Sequence, residues 1–218
     1  MRKRKVYEVS AIDSNSSIKE IKKMMESMVV EARKRGHFVA ASNLKDYLRG
    51  RKSKKKIKSS WLRQFQKVKR AEKDNETRFQ RDLLREINNL KEGRHKNYSD
   101  YYDRLISFHG RGYSTQELFY ASGNSTLTTT GSFRIEIKNG KAFIKGKLHH
   151  RWHDEYNWHV GLRTIVPGYG LIADADIKRL EHEDKARAYK MYSEWYKYLN
   201  TSFDTRLPLG RFSWSDGV

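Results

Sequence analysis

"SFRIEIKNGKAFIKGKLHH", residues 132–150, decides the fold class. Phe133, Ile135 and Ile137 alternate with Arg134, Glu136 and Lys138, and Ala142, Ile144 and Leu148 alternate with Phe143, Lys145 and Lys147. Between the two runs stands Asn139-Gly140, a dipeptide suited to the positive φ angles of a type I′ turn. This is the pattern of an antiparallel hairpin with one buried and one polar face.

The second strand, predicted over 142–152, runs into "LHHRWHDEYNWHVG", residues 148–161, which gathers four histidines, two tryptophans, a tyrosine and two acids. Strand alternation puts His149 and His150 on opposite faces. His150, His153 and His159, helped by Asp154, are acceptable metal-ligand types at a spacing that matches no standard motif. His153 with Asp154, or Asp154 with His159, would make a general acid/base pair, since a carboxylate can orient an imidazole and raise its pKa. A packing reading stands beside these, with Trp152, Tyr156 and Trp158 as an aromatic corner over the sheet.

Upstream of the hairpin, residues 98–132 read as short segments between Gly, Ser and Asn turns. HGRGYS at 109–114 has glycines but lacks the full pattern of a phosphate-binding loop. Downstream, Pro167-Gly168-Tyr169-Gly170 is a turn. Asp174 or Asp176 then caps a predicted helix carrying Ile177, Leu180, Ala188, Met191, Trp195 and Leu199. The acids Asp174, Asp176, Glu181, Glu183 and Asp184 read as a capping and solvent face, and PLGRFSWSDGV as a last strand or arm.

The front of the chain has a different texture. Ile18, Ile21, Met24, Met25, Met28, Val29 and Ala32 recur at helical spacing over 17–35, with Ser17 and Glu20 as a capping box and Gly36 as the stop. A second helix is expected over 38–49, with Phe38, Ala41, Leu44 and Leu48 as its stripe and Gly50 as its end. A third is expected over 60–92, capped by Ser60 and carrying a basic exposed face. Between them RGRKSKKKIK, residues 49–58, has seven cations in ten positions, Arg49, Arg51, Lys52, Lys54, Lys55, Lys56 and Lys58. Self-repulsion predicts an extended segment, and these residues are the candidate polyanion contacts.

The expected fold class is therefore α+β, a basic helical N-terminal region over 1–97 followed over 98–218 by a twisted antiparallel sheet with a C-terminal helix. Charge follows that division. Residues 1–98 hold 29 Lys and Arg against 12 Asp and Glu, a balance of +17, out of +20 for the chain of 218 residues. That exceeds the roughly 2–8 usual for a small domain and implies a polyanionic partner. Without cysteine, disulfides and cysteine zinc sites are excluded. The basic start has no apolar run behind it and does not read as a secretory signal. Nor is there a zinc-finger spacing, an RRM signature or a heptad zipper.

His153-Asp154-Glu155-Tyr156-Asn157 resembles the Asp-x-Tyr-Asp core of the colicin M-like bacteriocins. The resemblance implies a strand-rich activity domain behind a helical region, which hydrolyses a lipid-linked peptidoglycan precursor at a phosphate or pyrophosphate bond with the aid of a divalent cation. Asp154 would be the central carboxylate and Tyr156 its companion. Asn157 stands where the family has a second Asp, His159 is early for the family's histidine, and Arg163 lies at about the family's arginine distance. The leading expectation is a bacterial antagonism toxin, released without a recognisable signal peptide to act at a target envelope. Its basic helices would engage anionic lipid or an envelope precursor, and its catalytic candidates are Asp154, Tyr156, His159, His153 and Arg163. An immunity or carrier protein would be a further partner. The alternatives are a non-catalytic RNA- or DNA-binding structural protein, in which Trp152, Tyr156 and Trp158 stack on bases, and a nuclease using His153 or His159 with Arg151 or Arg163.

Overall fold

Ser17 caps the first helix through its hydroxyl, which accepts from the Glu20 N–H, while the Glu20 carboxylate takes the Ser17 N–H at 2.7 Å. This capping box starts α1 (Ile18–Lys34), and Gly36 in the left-handed region closes it. α2 (Phe38–Arg49) ends likewise on Gly50, at φ 63°. The structure, a computed structural model, describes residues 12–108, 113–166, 168–206 and 212–217. The elements that follow are β1 (Lys54–Lys56), α3 (Ser59–Leu62), α4 (Gln66–Asn89), β2 (His95–Ser107), α5 (Tyr113–Ala121), β3 (Asn124–Lys138) and β4 (Lys141–Tyr156). The chain then forms β5 (Arg163–Val166), β6 (Gly170–Ala173), α6 (Asp174–His182), β7 (Tyr189–Asp204) and β8 (Ser215–Asp216). The chain is α+β, as its pattern predicts.

Packing groups these elements into two units that each draw on both sides of the charge boundary near residue 97. One comprises residues 12–55, 113–123 and 155–191, and the other 56–108, 124–154 and 192–217. In the first, Ile21, Met25, Met28 and Val29 of α1 and Ala40, Ala41, Leu44, Tyr47 and Leu48 of α2 are buried. Met25 and Met28 of the methionine stripe are thus core, with Met24 half-buried. Phe38, expected on the α2 stripe, is instead 67% exposed.

The second unit lays α4 on one face of a mixed, largely antiparallel sheet. Strands run in the order β1-β7-β4-β3-β2, with β8 beside β7. The predicted hairpin is present, with Lys138 opposite Lys141 and both Asn139 and Gly140 at positive φ. Phe79, Leu83 and Ile87 of α4 pack with Phe133, Ile135, Ile137, Ile144 and Leu148 of β3 and β4. Phe79 comes so near the sheet that a Cβ at Gly131 would lie 2.3 Å from its ring.

Three expectations are corrected here. The helix expected over 60–92 is broken at 63–65 into α3 and α4, and Ser60 lies inside α3 rather than capping a helix. The turn-rich reading of 98–132 gives way to the strand β2 and the helix α5, and the glycine-loop residues 109–112 lie outside the described residues. The long C-terminal helix is only α6. After Asp184, at φ 53°, the chain turns extended, and Tyr189, Met191, Ser193, Trp195 and Leu199 are buried in strand alternation. His149 and His150 do fall on opposite faces, as alternation predicts, with His150 fully buried and His149 not.

Polar residues decide how α4 sits in the second unit. Glu72, Asn75, Glu76 and Asp82 are buried on its inner side. The Lys197 ammonium of β7 lies 3.0 Å from Glu72 and 2.5 Å from Glu76, and Arg63 reaches Glu72 at 3.3 Å. Trp195 Nε1 also donates to Glu72. Burial alone would lower the pKa of Lys197, but the bond to Glu76 and the charge of Glu72 carry it above its ordinary value. Asn75 donates to Thr129 Oγ1 at 2.9 Å, which in turn meets His150 Nδ1 at 2.8 Å.

Two predictions follow from this cluster. Lys197→Met leaves two buried carboxylates short of a cation and should cost about 3–5 kcal/mol of unfolding free energy. A loss below about 1 kcal/mol in denaturant titration would refute the structural role. Burial pushes His150 down to about 4, since the charged imidazolium is poorly solvated there. Its folded pKa lies below the unfolded value of about 6.5, so stability is full above about 6.5 and falls as pH drops toward 4, by about 3 kcal/mol in total. In His150→Gln that part of the acid slope should vanish from thermal melts.

Candidate functional site

Residues 156–173 contain no Asp or Glu. β4 ends at Tyr156, a turn closes with the Leu162 N–H donating to the His159 carbonyl at 3.1 Å, and the chain forms the two-stranded β5–β6 hairpin. Gly161, Gly168 and Gly170 all have positive φ, the conformation that lets so short a segment reverse twice. The register pairs Arg163 with Ala173, Thr164 with Ile172 and Ile165 with Leu171.

That register sorts the hairpin into two faces. Ile172 is fully buried, while the cross-strand partners Ile165 and Leu171 are 72% and 48% exposed. Arg163, two residues before Ile165, shares the outward face and is also exposed. Val160 and Leu162, in the turn before β5, are also exposed, at 74% and 51%. Four large apolar side chains thus stand in water beside one arginine.

Asp174 anchors this segment from α6. Its N–H donates to the Leu162 carbonyl at 3.0 Å, and its Oδ2 accepts the His159 N–H at 3.1 Å. The carboxylate is only 6% exposed, and Oδ1 has no hydrogen-bond partner among the described residues. Burial raises its pKa, opposed in part by the His159 N–H and by the nearby His159 charge. Asp174 or Asp176 is expected to cap the following helix. Instead Ala173 is the N-cap, with no side-chain cap bond, and Asp174 binds the chain before it. Glu181, expected on a solvent face, accepts from Tyr47 Oη at 3.0 Å and pairs with Lys178 at 2.8 Å.

Aromatic rings back the segment. Tyr156 is buried, stacked on Tyr189 at 5.5 Å and edge-on to Tyr47 at 5.9 Å. Trp158 lies 6.4 Å from Tyr47, and its buried Nε1 has no hydrogen-bond partner among the described residues. Burial raises the Tyr156 hydroxyl pKa, which keeps it neutral.

Of the five catalytic candidates, Tyr156, His159 and Arg163 share this unit, Tyr156 as a packed ring and the other two exposed. His153 and Asp154 belong to the other unit, His153 exposed on β4 and Asp154 half-buried. Trp152 is buried there too, its Nε1 donating to Ser125 at 2.8 Å. Asp174 is the residue that sequence reasoning missed as a partner of His159, because nothing in a helix-start aspartate announces a bond backward across fifteen residues.

The residues around Asp174 do not form a set for the divalent cation that the resemblance implies. Among the described residues the group with three ligands in reach of one another is Glu72, Glu76 and His150, and Lys197 and Arg63 already neutralise its carboxylates. Within the candidate polyanion run, Lys52 and Lys55 both pair with Asp46 at 2.8 Å, and Lys56 lies 3.8 Å from Glu194. Arg49, Arg51, Lys54 and Lys58 are exposed. No family model, curated protein or solved structure matches this chain.

The anchoring role gives a pH signature. The folded pKa of Asp174 lies above the unfolded value of about 3.9, so its contribution is most favourable below that value and declines as pH rises through the folded pKa. Asp174→Asn keeps an acceptor for the His159 N–H and should remove this decline, leaving the thermal midpoint at neutral pH equal to or above that of the unaltered chain. A large drop at neutral pH would show that the negative charge itself is needed.

Proposed function

We propose that the chain is a bacterial antagonism toxin that works at the anionic membrane surface of a target cell, with the β5–β6 hairpin as its membrane contact. The observation that carries this reading is the outward face of that hairpin, where Ile165 and Leu171 stand side by side with Arg163. Fully burying a side chain of this kind is worth about 1.5–3 kcal/mol, and an interface recovers part of that for each. A cation near anionic lipid adds about 1 kcal/mol. Arg163 can extend its guanidinium to the headgroups while its methylenes follow the apolar pair inward. The charge of +20 supplies the long-range attraction. Among the described residues no helix is long and apolar enough to cross a membrane, so this contact is interfacial.

The same segment supports placing the toxic activity close to the contact. His159 is exposed, Asp174 is held nearer protonation than an ordinary aspartate, and Arg163 offers a cation for an anionic oxygen. These are the group types for acid/base attack on a phosphate-bearing headgroup or precursor. In this reading Asp174 takes the carboxylate role that the motif alone assigns to Asp154.

Vesicles of phosphatidylglycerol with phosphatidylcholine, compared with phosphatidylcholine alone at about 150 mM salt, test the contact. The protein should sediment with the anionic vesicles, and Ile165→Asp with Leu171→Asp should weaken binding at least about tenfold without unfolding the chain, since both side chains are already in water. Absence of binding, or binding unchanged in the double variant, would overturn the reading. Dye leakage and phosphate release on the same vesicles report the activity.

A further inference from the structure

The sheet of the second unit has two faces and one helix. α4 covers the face bearing Phe133, Ile135, Ile144 and Leu148, and the opposite face is largely open. Along β4 that open face presents Lys145, Lys147, His149, Arg151 and His153, exposed or half-buried. β3 lays Thr126, Thr128 and Thr130 beside His153, Arg151 and His149. β2 sets Tyr101 opposite Thr130, with its ring 62% exposed. β7 adds Tyr192, Tyr196 and Tyr198, which share one face by alternation.

We infer that this open sheet face binds single-stranded nucleic acid. The rings are already arranged for stacking. His149 lies flat on Tyr196, with centroids 4.3 Å apart and planes 13° apart, and Lys147 Nζ stands 5.4 Å from the same ring. Of the acids that alternation places on this face, Asp103 is engaged by the Thr128 hydroxyl at 2.6 Å and Glu194 by His149 Nε2 at 3.1 Å, and Glu136 follows Arg134 along β3. Arg134, Lys138, Lys141, Lys145, Lys147 and Arg151 outnumber these acids and give the surface a net positive charge that matches a phosphate backbone. Aromatic platforms set in cationic surfaces bind unpaired bases through their π-faces without regard to sequence.

Spacing selects single strands over duplex. Residues two apart on a strand are about 6.6–6.8 Å apart along it, so Tyr196 and Tyr198 offer rings at roughly twice the 3.4 Å rise per nucleotide of a duplex strand. Two neighbouring bases must unstack to lie on both. A duplex, whose base faces are hidden, would meet only the cations. This surface lies in a different unit from the hairpin and shares no residue with it, so it stands or falls separately from the membrane reading.

Fluorescently labelled oligo(dT) and oligo(U), against a mixed-sequence duplex of equal length, at about 150 mM salt, form the test with the full chain. Single strands should bind at least about tenfold more tightly than duplex, and Tyr192→Ala and Tyr196→Ala should each weaken them about 5–100-fold. Lys147→Gln should flatten the salt dependence. The Ile165→Asp/Leu171→Asp chain should bind oligonucleotide as the unaltered chain does. Equal affinity for duplex and single strand, tyrosine variants that bind normally while circular dichroism shows them folded, or preference for a sulfated polysaccharide over oligonucleotide would overturn the proposal.

Discussion

An ammonium held between two buried carboxylates fixes how the second unit is assembled. Glu72 and Glu76 lie one helical turn apart on α4, and Lys197 of β7 reaches both. Charges so poorly hydrated are tolerable only when matched, which leaves the helix few places to lie on the sheet. Arg63, Trp195 and the Asn75–Thr129–His150 chain of contacts narrow the choice further. Where the ionic cluster stops, Phe79 takes over, lying against the sheet at the place where Gly131 provides no side chain. An apolar stripe could slide by a turn at modest cost, but this sequence of polar and aromatic contacts cannot. One face of the sheet is thereby closed, and the other face is left with the tyrosines and cations.

Elements with a single strong period were legible in the sequence. The Asn139-Gly140 hairpin and the capped helices α1 and α2 follow from turn chemistry and spacing alone, and with them the α+β class. β7 was not legible because "YKMYSEWYKYL" satisfies two periods at once. Met191, Trp195 and Leu199 fall four apart, as on a helix, while Tyr189, Met191, Ser193, Trp195, Lys197 and Leu199 mark the buried side of a strand. Ser193 and Lys197 disguise that alternation, and Lys197 turns inward because Glu72 and Glu76 await it, a long-range fact no local pattern carries. β2 hid for a different reason. Tyr98, Tyr102 and Ile106 are its more covered residues, so the run shows little apolar alternation.

The histidine-rich stretch illustrates the same limit at the candidate site. Its composition suggested one constellation, but pleating sends His150 into the ionic core and leaves His149 beside Tyr196 on the open face. The strand's end then gives Tyr156 to a different set of aromatic neighbours, and His159 to Asp174. The chemistry is shared among three environments, each completed by a residue far away in sequence. The charge run 49–58 is similarly divided, since Asp46 holds Lys52 and Lys55 while Arg49, Arg51, Lys54 and Lys58 remain at the surface.

The order in which the strands occur along the chain has a consequence for synthesis. β7 is made after α4, β3 and β4, yet it lies between β1 and β4 in the sheet. It also carries the only ammonium that touches both Glu72 and Glu76 among the described residues. As the ribosome extends the chain, the β3–β4 hairpin can form from local contacts, but Glu72 and Glu76 on α4 have only Arg63 and Lys73 beside them, and lack the ammonium that bridges both, until residue 197 emerges. Folding of this unit therefore waits for its C-terminal segment, with the slow search expected of distant strand pairings. During that interval the nascent chain shows its hairpin edges and apolar helix stripe to whatever chaperone meets it first.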